Sequence, residues 1–495
     1  MSAQEKKITG VVSDSAGPLP GVNVILKGTT IGTETDFDGK YSLKAKTGDV
    51  LVFSFVGMQV TERTVGAASE LNVLMKEDTN ILDEIVVVGY GTTTKQSFTG
   101  TAKVVKTEDL EAKSVSNVSQ ALAGEVAGVN VINTSGQPGT VATIRIRGFG
   151  SVNGNRDPLY VVDGVPFSGS INSINPSDIA STTVLKDASA TAIYGSRGAN
   201  GVIMITTKSG KSGATSVEID LKTGVNFQFL PRYDVIKSPD EYLELSWHAM
   251  ANRGLDIDPT TDAAAYANAN LFSDRIGIPA DFNYFNTTDV SQIIDPVTGK
   301  VRPGLTRKYT PEDWNDYAFQ PSIRTEANIK MSGGDDKTKY FSSFGYLDDK
   351  GYSVNSGYKR YAARLNLTHK PAEWLTVKAN VGYTLSKSIQ NGQSEDSGSI
   401  FWYADNIPSI YPLFKRDVNG DFIEDSKYGG NQYDYRDRGF GGGTNAIGDA
   451  MYNYVGAERH SLNGNFSFKV DLAEGLEFET QYGAQHYSRI YNNIQ

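Results

Sequence analysis

The sequence contains no cysteine among its 495 residues. This excludes disulfide bridges, thiol nucleophiles, cysteine-ligated metal centres and a cysteine lipid anchor within these residues. Long apolar runs are also missing, because the strongest ones, Leu51–Val56 and Ile85–Val88, are far shorter than the roughly 20 residues that a membrane-spanning helix requires. Met1–Gln4 carries neither a cationic nor an apolar segment, so no signal peptide is expected there. Either the protein is cytoplasmic, or the numbering begins at the cleavage point of an exported chain.

Positive charge is in deficit, with 47 Lys and Arg against 57 Asp and Glu, and this argues against a nucleic-acid partner. The few histidines lack the spacing of metal ligands: they are His248, His369, His460 and His486. Tyr194 stands where a nucleophile elbow requires its first glycine, and Gly89–Ser97 lacks the second glycine of a phosphate-binding loop. The sequence therefore predicts no enzyme and no cofactor.

What the sequence has is glycine and aromatic residues, with 51 Gly, 26 Tyr and 21 Phe against 17 Pro. This composition is typical of chains rich in strands and turns, and the length suggests two to four structural units. Residues 6–77 alternate short apolar runs with turns such as Gly17–Gly21 and Asp36–Gly39. They predict a β-sandwich of about seven strands.

A valine-rich segment, Leu82–Gly91, follows this module and precedes the polar stretch Thr92–Thr99. An extended apolar segment next to a polar tail suits strand addition, in which its backbone pairs with the edge of a partner's sheet. The alternative is that the segment forms the last strand of the sandwich.

Residues 100–208 indicate a mixed α/β unit. Asn117 to Gln120 has the spacing of a helix N-terminal capping box, and the helix behind it should end near Gly128. Alternating or β-branched runs predict strands, and an alanine-rich run predicts a second short helix. The strands are expected at Val129–Ile132, Thr143–Arg147, Leu159–Val162, Thr182–Leu185 and Val202–Thr207, and the second helix at Ala188–Tyr194.

From about residue 214 the sequence alternates apolar and polar residues over strands of about ten residues. Some of these strands are joined by tight turns, for example Gly333–Asp336 and Ala473–Gly475, and others by long polar loops rich in aromatics. A soluble sandwich could produce the same alternation, but loops that are short at one end and long at the other favour a transmembrane β-barrel. About seven such strands are expected before the chain ends.

Two motifs resemble a known family. Leu159–Phe167, "LYVVDGVPF", and Val184–Lys208, "VLKDASATAIYGSRGANGVIMITTK", resemble the plug of SusC-like TonB-dependent transporters, and Asp313–Tyr352 resembles their early barrel. The N-terminal module resembles a carboxypeptidase-D regulatory-like domain. The resemblance implies a mainly β fold in four parts: a β-sandwich at 6–78, a TonB box at 82–91, an α/β plug at 92–212 and the first strands of a large transmembrane barrel at 213–495. A barrel of the 22-stranded class needs more strands than these residues supply, so they are expected to be the N-terminal part of a longer polypeptide.

The resemblance also implies a function and partners. Energised import of an oligosaccharide or peptide across the outer membrane of a Gram-negative bacterium is expected, with TonB and its inner-membrane motor acting from the periplasm and a SusD-like surface lipoprotein as lid. The TonB box residues are then Glu84, Ile85, Val86, Val87, Val88 and Gly89. Two alternatives are a siderophore or cobalamin receptor and a surface adhesin. A valine-rich box between the sandwich and the plug argues against the adhesin, which needs no energy coupling.

The plug motif combines charged or hydroxylated side chains with glycines that allow sharp turns. Its residues are Asp163, Gly164, Lys186, Asp187, Tyr194, Gly195, Arg197, Gly198, Asn200 and Gly201. They suggest either a polar interface between plug and barrel that releases under force, or ion pairs that satisfy one another within a stable fold.

Candidate substrate contacts lie in two loops. Trp402, Tyr403 and Tyr411 could stack exposed rings on sugars or grip peptide side chains, unless they form a membrane girdle or pack within the loop. Asn153 and Arg156 in the plug are further candidates. Asp417, Asn419 and Asp421, with Asp425 nearby, have oxygen atoms at a spacing that could hold calcium, but a plain Asn-Gly turn is favoured.

Overall fold

The computed structural model describes residues 6–14, 17–29, 31–55, 58–76, 85–88, 91–94, 102–107, 113, 115–133, 135–148, 154–229, 233–391, 398–439 and 442–494. The chain divides into two compact units, Met1–Thr99 and Gly100–Gln495.

The first unit contains the predicted sandwich. One sheet has the order β4-β1-β7 and the other the order β3-β2-β5-β6. Alternate residues of these strands point inward, and the fully buried Ile8, Val24 and Phe53 lie in the core between the sheets. The strands are β1 (Lys6–Ser13), β2 (Asn23–Leu26), β3 (Gly32–Glu34), β4 (Lys40–Ala45), β5 (Val50–Ser54), β6 (Thr61–Thr64) and β7 (Val73–Leu74).

The valine-rich segment forms β8 (Ile85–Val88), which pairs antiparallel with β9 (Gly91–Thr94) in a separate two-stranded sheet. It therefore pairs locally instead of extending the sandwich. Glu84 and Gly89, at the ends of the predicted TonB box, lie outside the described residues.

The second unit begins with an α/β domain (residues 102–212). Its main sheet has the order β10-β15-β16-β13-β14, and β11 pairs with β12 beside it. Its strands are β10 (Ala102–Lys106), β11 (Val129–Ile132), β12 (Thr143–Ile146), β13 (Leu159–Val162), β14 (Val165–Phe167), β15 (Ile179–Leu185) and β16 (Val202–Thr207), and its helices are α1 (Val118–Ala121) and α2 (Ala188–Thr191), with 3-10 turns at Ile171–Ser173, Pro176–Asp178 and Ala192–Gly198.

The predicted first helix of this domain is shorter than expected. Asn117 caps it by accepting a hydrogen bond from the backbone nitrogen of Gln120, as the spacing indicates. The helix ends at Ala121, and the chain turns through glycines at positive φ, Gly124 and Gly128. The apolar positions Leu122 and Val126 remain buried, so burial of the predicted face does not require a continuous helix.

A single antiparallel sheet of seven strands follows, and we call it the wall. Its strands pair in chain order from β17 to β23, which agrees with the number of strands expected from the alternation. The connections near Asp335, Glu373 and Glu474 are tight. Of the three connections at the opposite end, two are long, at 227–321 and 391–453, and the third is short, at 351–355. The strands are β17 (Gly213–Asn226), β18 (Ser322–Gly334), β19 (Thr338–Lys350), β20 (Ser356–Ala372), β21 (Leu375–Gln390), β22 (Tyr454–Ala473) and β23 (Leu476–Ile494).

The two long connections fold around shared apolar clusters. Ile410 and Tyr411 of the second connection pack in a cluster with Leu243 and Phe282 of the first, and Trp314 packs near Tyr403 in another. The helices here are α3 (Pro239–Ile257), α4 (Ala263–Asn270), α5 (Val290–Ile293), α6 (Trp314–Ala318), α7 (Ile400–Asn406) and α8 (Ala446–Tyr452), with a 3-10 turn at Ala280–Phe282. Within the described ranges, none of the helices has the length and apolar character needed to span a membrane.

Candidate functional site

The wall has apolar residues on its outer face and polar residues on its inner face. On β18 the side chains of Arg324, Glu326, Asn328 and Lys330 are buried, whereas the alternate Ile323 and Ile329 are exposed. On β20 Arg360 and Arg364 are buried and Leu365 is exposed. A soluble sandwich buries its apolar face, so this polarity is that of a transmembrane barrel wall.

The inner face of the wall contacts the α/β domain through buried polar groups, and we call this contact the seam. At its centre the Arg364 guanidinium lies between two carboxylates of the α/β domain. Its Nε atom is 3.5 Å from an Asp178 oxygen, and its Nη1 atom is 4.0 Å from an Asp163 oxygen. The Arg364 and Asp178 side chains are each only 3% exposed, so water screens this ion pair weakly.

A second group of seam contacts surrounds Asn175, which precedes the 3-10 turn before β15. Its Nδ2 donates to Oδ1 of Asn328 on β18 at 2.8 Å, and its own Oδ1 accepts from Arg360 on β20 at 3.0 Å. Arg360 also donates to the backbone oxygen of Ser116 at 2.8 Å, and the Ser116 hydroxyl donates to Asp349. One arginine thus holds two separate segments of the α/β domain.

The start of β15 and the end of β16 are fastened in the same way. Ser343 on β19 donates to the Asp178 carboxylate at 2.6 Å. Asn366 on β20 donates to the hydroxyl of Thr207 at 2.8 Å and to the backbone oxygen of Lys208 at 2.7 Å. The start of β15 and the end of β16 are therefore both held by hydrogen bonds from side chains of the wall.

The last strands of the wall hold the turn between β13 and β14. Gln481 on β23 donates to the backbone oxygen of Asp163 at 2.7 Å, and Asn465 on β22 donates to the same oxygen. Gln485 donates to the backbone oxygen of Pro166 at 2.9 Å. Asp163 and Gly164 take positive φ values in this turn, which explains the Asp-Gly pair of the motif.

Asp163 also links the turn to the neighbouring strand. Its carboxylate accepts hydrogen bonds from the backbone nitrogen and the hydroxyl of Thr207, both at 2.8 Å. Of the motif residues, Asp163 thus contacts the wall and the domain core together.

Lys186 and Asp187 of the motif lie elsewhere. Lys186 donates to the backbone oxygen of Ala127 at 2.9 Å, and Asp187 forms an ion pair with Arg147, so both contacts lie within the α/β domain. Tyr194 is buried and Arg197 is exposed. The expected polar interface with the barrel is therefore formed mainly by other residues, and the contacts of Lys186 and Asp187 favour the alternative of ion pairs that stabilise the domain.

The remaining motif residues shape the backbone of the domain. Gly195 has φ 56° and ψ −143°, a combination that kinks the chain between Ala192 and Gly198 and that a side chain would disfavour. Gly201 lies so close to Ile146 that an added Cβ would stand 2.7 Å from its Cδ1 atom. Asn200 donates to the backbone oxygen of Asn155 at 2.8 Å.

Two of the aromatic substrate candidates are buried, which favours the alternative that they pack within the loop. Tyr403 is 0% exposed, its ring lies 5.3 Å from that of Trp314, and its hydroxyl donates to the backbone oxygen of Thr444 at 2.9 Å. Tyr411 is 3% exposed and meets Phe282 edge to face. Both rings pack against other aromatic rings of the long connections, and this contact removes their apolar area from water.

The other candidates are more accessible or fall outside the structure. Trp402, on α7, is 38% exposed. Arg156 is partly exposed, and its backbone oxygen accepts from Arg145 at 3.3 Å. Asn153 lies outside the described residues.

Two adjoining cavities lie between the α/β domain and the wall, on the side of the long connections. One has a volume of about 370 Å³ and is lined by Gln120, Gln137, Phe227, Arg324 and Asp349 among others. The second, about 270 Å³, shares Gln137 and Tyr352 with the first and extends to Phe401. Mixed charged, amide and aromatic linings of this kind suit a polar organic ligand.

The calcium candidate forms a turn. The Asp417 carboxylate accepts from the backbone nitrogens of Asn419 and Asp421, each at 2.9 Å, and Gly420 has a φ of 95°. Within the described part of the chain, no group of three acidic or histidine side chains is placed to hold a metal ion. The Asn-Gly turn, favoured from the sequence, explains these residues.

Comparisons with known proteins match both predicted modules. Residues 94–202 match the TonB-dependent Receptor Plug Domain, and residues 8–87 match the CarboxypepD_reg-like domain. The chain is 36% identical over 427 residues to TonB-dependent receptor SusC of Bacteroides thetaiotaomicron, an alignment that covers 84% of this chain and 37% of that protein. It is 34% identical over 496 residues to TonB-dependent receptor P3 of Formosa agariphila, which covers 98% of this chain and 42% of that protein.

The fold is similar to a solved structure of the RagAB peptide importer in its open-open state. The TM-score is 0.62 at 30% identity, and the match covers 82% of this chain and 42% of that chain. The chain thus spans less than half the length of the relatives that it matches. These relatives are receptors and importers, not enzymes. With its N-terminal β domain, its plug and a wall that is apolar outside and polar inside, this chain belongs to the SusC-like TonB-dependent transporters.

Proposed function

We propose that the protein imports a nutrient across the outer membrane, and that TonB drives import by pulling the plug away from the seam. The observation that carries this proposal is the seam itself, in which buried polar groups of the plug and the wall pair with one another. A hydrogen bond contributes only about 1 kcal/mol net when water can replace the partner. Once the plug moves, water reaches both sides, so a polar seam opens at lower cost than an apolar interface of the same area.

The segment Glu84–Gly89 is the proposed attachment point for TonB. Its central residues already form a strand, β8, which lies in a two-stranded sheet with β9. A strand of such a sheet can pair with a third strand through its other edge, and this supports β-addition. Backbone pairing transmits force along the chain without a deep binding pocket.

The polarity of the wall supports an outer-membrane location, with the tight turns in the periplasm and the long connections outside. We propose that the TonB box also lies in the periplasm, where TonB can bind it. The relative RagAB is a peptide importer. For this chain we propose an oligosaccharide or a peptide as the substrate, held first in the cavities beside Gln137 and Tyr352, with a SusD-like surface lipoprotein as the lid.

The test is a substitution in the TonB box of the full-length transporter. Val87→Pro removes a backbone N–H from β8 and should abolish energised uptake while leaving substrate binding at the cell surface unchanged. Val87→Ile is the matched control and should leave both unchanged. Uptake that persists in the proline variant would contradict energised import, and a surface adhesin would show this result. Iron-siderophore or cobalamin uptake in place of saccharide or peptide uptake would instead support a different substrate class.

A further inference from the structure

A row of charged side chains crosses the outer face of the wall near its long-loop end. The register places Asp348 of β19 opposite Lys359 of β20, Lys359 opposite Lys387 of β21, and Lys387 opposite Glu458 of β22. These residues alternate with the inward Arg360 and Asp349, so they lie on the apolar outer face. A charged row on a face of this kind requires an explanation.

The two lysines at the centre of the row oppose one another directly. Like charges at directly opposite positions of neighbouring strands destabilise a sheet. Each lysine pairs with a carboxylate on its far side, Lys359 with Asp348 at 3.3 Å and Lys387 with Glu458 at 2.7 Å. The lysine side chains remain 48% and 52% exposed, so both ammonium groups can accept an anion from outside.

Tyrosines mark the depth of this row in the membrane. One step toward the tight turns, Tyr346 lies opposite Tyr361 with ring centroids 5.2 Å apart. Farther along the outer face toward the tight turns, Tyr383 shares a 2.7 Å hydrogen bond with His460. Tyrosines concentrate where the hydrocarbon of a membrane meets its headgroups.

The height of the apolar band agrees with this depth. From Leu375 to Leu385, where the outward side chains of β21 are apolar or aromatic, the strand rises by about 33 Å at roughly 3.3 Å per residue, and a tilt of roughly 45° reduces this to a band about 23 Å tall. Trp374, 56% exposed, lies at the opposite edge of the band. The charged row therefore lies just beyond the hydrocarbon, at the level of the outer headgroups.

We propose that Lys359 and Lys387 bind the phosphate of an anionic lipid in the outer leaflet. Lysine recognises phosphate as a compact point charge, and a phosphate between the two ammonium groups would replace their repulsion by attraction. Lys350, exposed at the end of β19 and on the same face by alternation, adds a third cation. The row with Lys350 thus has three lysines against Asp348 and Glu458, which leaves a net positive charge. The proposal rests on the outer-membrane location proposed above.

The test measures phosphorylated lipid bound to the full-length transporter purified from outer membranes in mild detergent, by native mass spectrometry. Lys359→Gln with Lys387→Gln should lower the bound lipid about tenfold. Lys337→Gln, an exposed lysine in a tight turn at the other end of the wall, is the control and should leave it unchanged. The pair Lys359→Arg and Lys387→Arg keeps both charges and should retain the lipid, which separates charge from a folding defect.

Equal lipid on the wild type and the glutamine variant would overturn the proposal, as would loss of lipid in the arginine variant. Inorganic phosphate added at millimolar concentration should not displace the bound lipid, and displacement would indicate a site for free phosphate instead. A transporter that reaches the outer membrane and imports substrate but carries no phosphorylated lipid would refute this inference alone. A transporter absent from the outer membrane would refute both proposals.

Discussion

Asp178→Asn should loosen the plug where it meets the wall. The carboxylate is almost completely buried, lies 3.5 Å from Arg364 and accepts a hydrogen bond from Ser343. An asparagine oxygen can still accept from Ser343, so the main loss is the charge opposite Arg364. Removing the sole partner of a buried charge costs about 3–5 kcal/mol, and because Asp163 remains nearby we expect about 2 kcal/mol here.

Hydrogen exchange of the plug amides is the assay. If the free energy of opening the seam falls by about 2 kcal/mol, amides that exchange through this opening should exchange about thirtyfold faster. The amides of β15 and β16 should show this change. The control is Asp157→Asn, which removes the partner of Arg145 in an ion pair whose carboxylate is 66% exposed. That pair should contribute at most about 1 kcal/mol. Equal exchange in the two variants would refute the conclusion that buried charge holds the plug in place.

Three further outcomes follow from the structure. Gly139 has a φ of 78° and its Cβ would meet the buried Tyr358 ring, so Gly139→Ala should lower the midpoint of thermal unfolding of the plug, whereas Gly136→Ala, with open space around it, should not. Burial raises the pKa of Asp449, although its hydrogen bond from Tyr435 opposes the shift. Folding therefore favours the neutral form of Asp449. The stability that this carboxyl contributes is present below its usual pKa and is lost as the pH rises through the raised pKa. Asp449→Asn should remove this pH-dependent loss of stability when unfolding is measured between pH 3 and 7. Chelation of calcium should leave hydrogen exchange around the Asp417 turn unchanged, whereas Asp417→Ala should accelerate it.

The strands of the wall could be predicted from the sequence because a lipid-facing surface and a polar seam impose opposite demands on alternate residues. The same alternation runs through Val217, Ile219 and Leu221 on β17, which are all exposed on the outer face. The capping role of Asn117 was equally local, since its partner is three residues away.

The helices of the long connections were not predicted, although α3 carried a usable signal. Ser238 caps this helix ahead of Pro239, Asp240 and Glu241, and the buried Leu243, Trp247 and Ala251 recur every four residues. The pattern did not lead to a helix prediction because polar residues surround it and no second periodic segment lies nearby.

The residue pairs that form the seam could not be predicted, because the partners are distant in the sequence. Asp163 and Gln481, for example, are separated by 318 residues, and only the pairing of the wall strands brings them together. The burial of Tyr403 and Tyr411 also depends on contacts between two separate connections. Aromatic residues in a long loop indicate a ligand site only when nothing else covers their rings.

A reversible cross-link between the plug and the wall tests the central claim most directly. A Cβ atom at Gly483 of β23 would stand 3.2 Å from the Cβ of Val165 on β14, slightly less than the roughly 3.5–4.5 Å between the Cβ atoms of a disulfide. The 495 residues contain no cysteine that could compete for this bond. The variant with Val165→Cys and Gly483→Cys should import nothing when oxidised and recover uptake when reduced, while either single variant imports under both conditions. Undiminished uptake through the oxidised, fully cross-linked transporter would contradict the claim that the plug must leave the wall.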